Sequence, residues 1–214
     1  MCRLLYINSK KEFLMQEFLQ KFAVIAKESR EYQGHGWGCS FLKNGVWGHY
    51  KNVNPIWEDD FSLFGKTSRL IVHARSAFRD EGIIVENNMP FHDGRYIFIF
   101  NGELRGVKIK EEGRIGAEKI FNYIKRFDKN NIKDAILKGT EIIIKKSSYI
   151  RAMNIILNDE NSAYVFSYFN EDVDYFTLHS KINDDMAVVC SEPFRGETDW
   201  NKISNNSLTE LKCL

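Results

Sequence analysis

Met1-Cys2-Arg3-Leu4-Leu5-Tyr6-Ile7 opens the chain, and Asn8-Ser9-Lys10-Lys11 follows it. Leu4 to Ile7 is an unbroken apolar run, so residues 2–7 read as a short buried strand. The run is too short for a signal-peptide core and lacks a small-residue cleavage site. No apolar stretch elsewhere approaches the roughly 18–20 residues that a membrane-spanning helix needs. From Ser9 the pattern changes period. Phe13, Leu14, Phe18, Leu19, Phe22, Ile25 and Ala26 recur at three- to five-residue steps, which predicts a helix to about residue 30 with its Lys and Glu residues on a solvated face.

Further along, Asn44-Gly45 lies between two apolar runs, a strong hairpin signal. Residues 51–68 read as irregular, Leu70 to Ala74 as a strand, and 78–94 as a long loop. Arg95 to Phe100 is strand-like. Two helices are predicted, over about 115–128 and 130–146. The last third alternates short strands (149–157, 163–169, 174–179 and 186–190) with turns, including one at Asn158-Asp159-Glu160-Asn161. Strands, then helices, then strands again predict an α+β layered fold with antiparallel sheets. The 214 residues show no internal repeat and no composition break, so residues 1–214 read as one domain.

Thirty basic residues stand against twenty-nine acidic ones, a net charge of +1. That balance argues against non-specific binding to nucleic acid or an acidic membrane. The four cysteines, Cys2, Cys39, Cys190 and Cys213, form neither a CxxC pair nor a dense framework. A reducing cytoplasm with free thiols is the expected setting. His35, His49, His73, His92 and His179 lack zinc-ligand spacing. The Gly34–Gly38 segment matches no phosphate loop, so neither a metal nor a cofactor is expected.

Cys2 becomes chemically interesting if Met1 is trimmed. The residue then carries both a thiol and an α-amine, with reference pKa values of about 8.5 and 7.7–8.0. The amine can act as general base for its own side chain. On the dipeptide alone, a cysteine that merely begins a buried strand is the ordinary reading. Asn101-Gly102 also supports two readings. It is another hairpin turn, or it is an oxyanion hole built from the Asn amide and the Gly N–H. Arg75, just past a strand, suits a bidentate grip on a carboxylate; a surface ion pair is the alternative. Glu118 is expected to complement a helix dipole.

Taken in order, Met1–Leu5, Gly36-Trp37-Gly38, His73-Ala74-Arg75-Ser76-Ala77, Asn87-Asn88-Met89-Pro90-Phe91, Phe100-Asn101-Gly102, Gly113 to Phe121 and Ser191-Glu192-Pro193 with Trp200 resemble class II glutamine amidotransferases, particularly compact stand-alone ones. The resemblance runs from residue 2 to about 200. It implies a four-layer αββα sandwich of the N-terminal nucleophile hydrolase type. It also implies glutamine amide cleavage through a γ-glutamyl thioester. Cys2 is then the nucleophile, Asn101 and Gly102 hold the oxyanion, and Arg75 binds the substrate carboxylate.

Several positions depart from the family pattern. Phe78 stands where a threonine is expected, Met89 and Phe100 replace histidines, and Gly116 replaces the aspartate that holds the substrate ammonium. Phe78 and Gly116 are therefore substrate-site positions of altered chemistry, because a buried ammonium needs a partner. Glutamine is the first substrate reading. Another amide, such as a γ-glutamyl derivative with a modified amine, is the second. A degenerate sensing or partner domain is the third. No acceptor for the ammonia is identifiable in the chain, so a separate synthase or simple hydrolysis is expected.

Overall fold

The run from Leu4 to Ile7 divides its side chains between two cores, and the layers follow from that division. Leu4 and Tyr6 join one apolar cluster, while Leu5 and Ile7 join another. Successive residues of a strand point to opposite faces, so β1 is covered on both sides. That is why its sequence is continuously apolar instead of alternating.

The computed structural model describes residues 1–214. Its strands are β1 (Arg3–Leu14), β2 (Trp37–Lys43), β3 (Val46–Asn52), β4 (Lys66–Ala74), β5 (Phe91–His92), β6 (Ile97–Arg105), β7 (Tyr149–Asn158), β8 (Ser162–Ser167), β9 (His179–Ile182), β10 (Met186–Cys190), β11 (Asn201–Lys202) and β12 (Ser207–Lys212). The helices are α1 (Met15–Lys27), α2 (Gly116–Lys125), α3 (Ile132–Lys146) and the short α4 (Val173–Phe176). One sheet has seven strands in the order β11-β9-β10-β1-β4-β2-β3, and the other has five in the order β12-β8-β7-β6-β5. The strand pairs are antiparallel.

Met15, Leu19, Phe22, Ala23, Ile25 and Ala26 of α1 pack on the outer face of the larger sheet, against Leu70, Val72, Ala74, Val188 and Cys190. Its inner face, with Leu4, Tyr6, Ile71 and Val189, joins the same core as Ile97, Ile99 and Ile156 of the smaller sheet. Ile120, Phe121 and Ile124 of α2, and Ile136 and Ile143 of α3, complete that core. Phe98 stacks on Phe121 with ring centroids 4.9 Å apart. The result is the expected four-layer αββα sandwich. No helix is long and apolar enough to cross a membrane, which says nothing of β-barrels.

The Asn44-Gly45 hairpin forms as expected, with both residues at positive φ (52° and 76°). Other boundaries differ. Residues 9–14 continue β1 and do not begin the helix; past an irregularity between Asn8 and Phe13, Phe13 and Leu14 pair with Thr67 and Lys66. β4 begins at Lys66, inside the stretch read as irregular. The strand expected over 174–179 is instead the α4 turn followed by the start of β9. β11 and β12 have no counterpart among the expected strands.

Candidate active site

Cys2 precedes the first residue of the central strand β1, and Arg75 follows the last residue of β4. Arg3 pairs with Ala74 in the β1–β4 ladder, which puts Cys2 and Arg75 side by side at one end of the larger sheet. By strand alternation both share the face of Leu4 and Ile71, turned toward the smaller sheet. Cys2 is 8% exposed, and its thiol approaches the Ser76 carbonyl at 3.6 Å. Burial pushes the thiol pKa up, and the neighbouring N-terminal ammonium and Arg75 only partly oppose it. At neutral pH this sulfur is a thiol that needs a base to become a nucleophile.

Arg75 is buried without a carboxylate partner. Its guanidinium donates to the Gly82 carbonyl (2.9 Å), Asn88 Oδ1 (3.3 Å) and the Glu81 carbonyl (3.4 Å). Asn88 is fixed in turn by donating to the Asn52 carbonyl at 2.7 Å, and Asn87 donates to the Gly82 carbonyl at 3.0 Å. The Asn87-Asn88 pair therefore shapes the loop that wraps Arg75. The guanidinium is held in place by neutral acceptors.

Asn101-Gly102 lies inside β6, opposite Asn154 and Met153 of β7. The hairpin-turn reading of this dipeptide is thereby removed. Because Phe98 faces α2, alternation turns Ile97, Ile99 and Asn101 toward the larger sheet. Asn101 Oδ1 is buried and has no hydrogen-bond partner. A Cβ on Gly102 would meet the Ala152 carbonyl oxygen at 2.2 Å, so only glycine fits there. The chain start reaches the same place: Met1 packs against the cluster of Ala152, Phe169, Tyr175 and Phe176. Asn154, opposite Asn101, donates to the Phe176 carbonyl at 2.7 Å. The β6–β7 register shifts between Glu103 and Leu104, directly after the Asn101-Gly102 pair.

Several residues that anchor the N-terminus carried no sequence signal. The Met1 carbonyl accepts hydrogen bonds from Gln33 Nε2 (2.5 Å) and the Tyr175 hydroxyl (2.7 Å). The Met1 ammonium pairs with Glu31, which Arg151 also binds at 2.9 Å. Arg3 is fully buried; it stacks over the Tyr175 ring at 3.9 Å and pairs with Glu192. His73, two residues before Arg75, is also buried, with no hydrogen-bond partner on either ring nitrogen although the Phe100 main chain lies beside it. Burial, with Arg75 nearby, pulls its pKa down to about 3, so it is a neutral imidazole and not a general acid.

The two altered positions behave differently. Phe78 is 57% exposed in a turn where Arg79 and Asp80 both hold positive φ. Its ring is not packed into the site. His35 braces this turn by accepting from the Ala77 N–H at 2.9 Å. Gly116 opens α2, and a Cβ built on it meets nothing within 4 Å. Glu118 binds Arg114, accepting from its backbone N–H at 2.6 Å and pairing with its guanidinium. No group of His, Cys, Asp and Glu residues is arranged to hold a metal ion.

No family model and no curated protein matches the chain. Solved structures do. Glutamine phosphoribosylpyrophosphate amidotransferase of B. subtilis, determined with ADP and GMP, aligns with all of the chain at 16% identity and a TM-score of 0.65. The chain spans about half (49%) of that protein's length. A predicted glutamine amidotransferase from Pseudomonas aeruginosa aligns over 99% of this chain and 97% of its own, at 15% identity and a TM-score of 0.62. The fold is that of class II glutamine amidotransferase domains. A glutamine aminotransferase class-II domain protein from Silicibacter pomeroyi agrees, with complete coverage of both chains, 13% identity and a TM-score of 0.62. The two sheets flanked by helices are thus the N-terminal nucleophile hydrolase sandwich that the sequence resemblance implied.

Proposed function

We propose that this chain is an N-terminal-cysteine amide hydrolase that cleaves the side-chain amide of glutamine or of a γ-glutamyl derivative. The observation that supports this best is the placement of Cys2 beside Arg75 at one sheet end, with the unpartnered Asn101 on the facing sheet. In this reading Met1 is removed, and the freed α-amine of Cys2 takes the thiol proton. The sulfur attacks the amide carbon. The Asn101 side-chain amide and the Gly102 N–H donate to the oxygen as it becomes negative. Collapse of the tetrahedral species breaks the C–N bond, and the α-ammonium gives its proton to the departing ammonia. Water then adds to the thioester, and the acid product leaves with the thiol restored. Arg75 receives the substrate α-carboxylate in place of the loop carbonyls that it now binds.

The reading also gives Gln33 and Tyr175 a task. They now donate to the carbonyl of the Met1–Cys2 peptide bond. With Met1 gone, the same two groups border the α-amine, and hydrogen-bond donors there favour its unprotonated form. A general base needs that form.

Gly116 favours the γ-glutamyl derivative as the second substrate reading. No anion stands at that position to receive an α-ammonium, and the space beside it is open. Ammonia released in the reaction goes to water or to a partner synthase. The deciding experiment uses protein whose loss of Met1 is verified by intact mass. Ammonia release is compared on glutamine and N-acetylglutamine, before and after Cys2→Ala. Release that depends on Cys2 supports the proposal. No release from either amide, or release that survives Cys2→Ala, removes it.

A further inference from the structure

We propose that the open edge of the sandwich, between β3, β5 and the face of α2, binds a small oxyanion of the phosphate class through Lys51, His92, Arg114 and Lys125. A cavity of about 170 Å³ lies there, lined by those four residues with Asn122, Glu118 and the rings of Phe91 and Phe121. Its volume is comparable to the ~150 Å³ that accepts a benzene ring. None of Cys2, Arg75, Asn101 or Gly102 lines it, while Arg114 and Glu118 lie two residues to either side of Gly116.

The charge arrangement carries the argument. Trp47, His49 and Lys51 share the inner face of the edge strand β3. The stem of Lys51 crosses Gly38, whose Cβ would lie 3.1 Å from the lysine Cγ. The Lys51 ammonium therefore sits over the interior edge, 5.3 Å from the Phe91 ring centre, and no carboxylate pairs with it. Burial, with Arg114 close by, brings its pKa down to about 8. Arg114 approaches the same Phe91 ring at 5.5 Å, and Lys125 lies 4.2 Å from the Phe121 ring centre. Glu118, the carboxylate that lines the cavity, is engaged with Arg114, and Lys125 pairs with Asp93 at 2.7 Å. Glu86, on the exposed loop before β5, is the remaining acid whose field reaches Lys51 and Arg114. A half-buried ammonium without an anion is an unfavourable element unless a ligand supplies the charge.

The histidines extend the site. His92 stacks on His49 with ring centres 3.6 Å apart and planes 2° from parallel. Ser40 Oγ lies 2.8 Å from His49 Nδ1. Burial and the mutual proximity of the rings hold His49 at about pH 4, and burial with Lys51 nearby lowers His92. His92 lines the cavity together with Lys51, Arg114, Lys125 and Glu118, lies against His49, and has Asp93 next to it in the chain. A dianion among these groups favours a proton on His92, and the ring then becomes a further donor.

The test is a proton–carbon NMR titration of the His92 ring at constant ionic strength with inorganic phosphate, glycerol 3-phosphate and acetate in separate arms. A saturable shift with phosphate or the ester, together with a His92 titration midpoint moved to higher pH, is the expected result. Tighter binding of the ester assigns a phosphorylated metabolite, and tighter binding of free phosphate assigns the inorganic ion. Lys51→Met and Arg114→Gln should each weaken the effect by about tenfold or more, with the rest of the spectrum unchanged. Arg114 is exposed, so its variant remains informative if the Lys51 variant does not fold. Absence of a saturable shift, an equal response to acetate, or an unchanged response in the folded variants would overturn the proposal.

Discussion

Arg75 and Cys2 are neighbours across two antiparallel strands, brought together by the pairing of Arg3 with Ala74. Seventy-odd residues separate them in the chain, yet one ladder register sets their relation. In the proposed reading, the fixed cation grips the substrate's carboxylate end while its far amide meets the sulfur.

Cys2→Ala should abolish ammonia release from any amide substrate. The side chain is small and buried, so the fold should survive, with a loss of about 1 kcal/mol and a melting shift of roughly 2–4 °C. Calorimetry alongside the activity assay checks both. Full activity in this variant would remove the nucleophile assignment.

Asn101→Ala should lower kcat by roughly 10²–10³ with little change in KM, because the amide is asked to donate only to the developing oxyanion. Its Oδ1 has no partner to lose, so stability should change little. An equal rise in KM with kcat unchanged would mean that Asn101 merely binds substrate.

Gly116→Asp should move selectivity toward free glutamine over N-acetylglutamine by about tenfold, the scale of one charge-assisted hydrogen bond. A Cβ meets nothing at this position, so a folding defect is not expected. The ratio of kcat/KM for the two amides is the measurement. An unchanged ratio would separate Gly116 from the substrate ammonium.

His73 predicts an acid limb of stability. Its pKa is about 3 in the fold, chiefly through burial, against about 6.5 unfolded. Between these values the unfolded chain binds the extra proton. Stability therefore falls as pH drops from about 6.5 toward 3, by up to roughly 1.4 kcal/mol per pH unit from this residue. Urea unfolding of wild type and His73→Phe across that range should show a shallower slope in the variant. Parallel slopes would assign the acid limb to other groups.

The layers were legible because buried strands and amphipathic helices leave plain periods. Leu4 to Ile7 and Arg95 to Phe100 read as strands, and Ile120, Phe121 and Ile124 read as one helical face. Asn101-Gly102 was ambiguous because Asn-Gly also closes the hairpin at Asn44-Gly45. Only the presence of β7 alongside, with the Ala152 carbonyl against Gly102, distinguishes the two. Phe13 and Leu14 suit a helix face as well as a strand end, and pairing with Thr67 and Lys66 decides between them. Arg75 was visible as a residue, while its loop partners Gly82 and Asn88 were not. Gln33 and Tyr175 left no local trace, since their shared target is a main-chain carbonyl far away in sequence.

If Met1 is removed as proposed, that shared target sets a timetable for the removal. Tyr175 lies 174 residues downstream of the carbonyl that it grips. At 5–20 residues per second, a ribosome adds it roughly 10–35 s after Met1. In the proposed reading, the Met1–Cys2 bond is open to a processing enzyme until then. Afterwards it is clasped from two sides, with the ammonium engaged by Glu31. If Met1 is to leave, it must leave early. Chains made while methionine aminopeptidase is inhibited, then folded and offered the active enzyme, should keep Met1 and stay inactive. Rapid trimming of the folded protein would show that the clasp opens on its own.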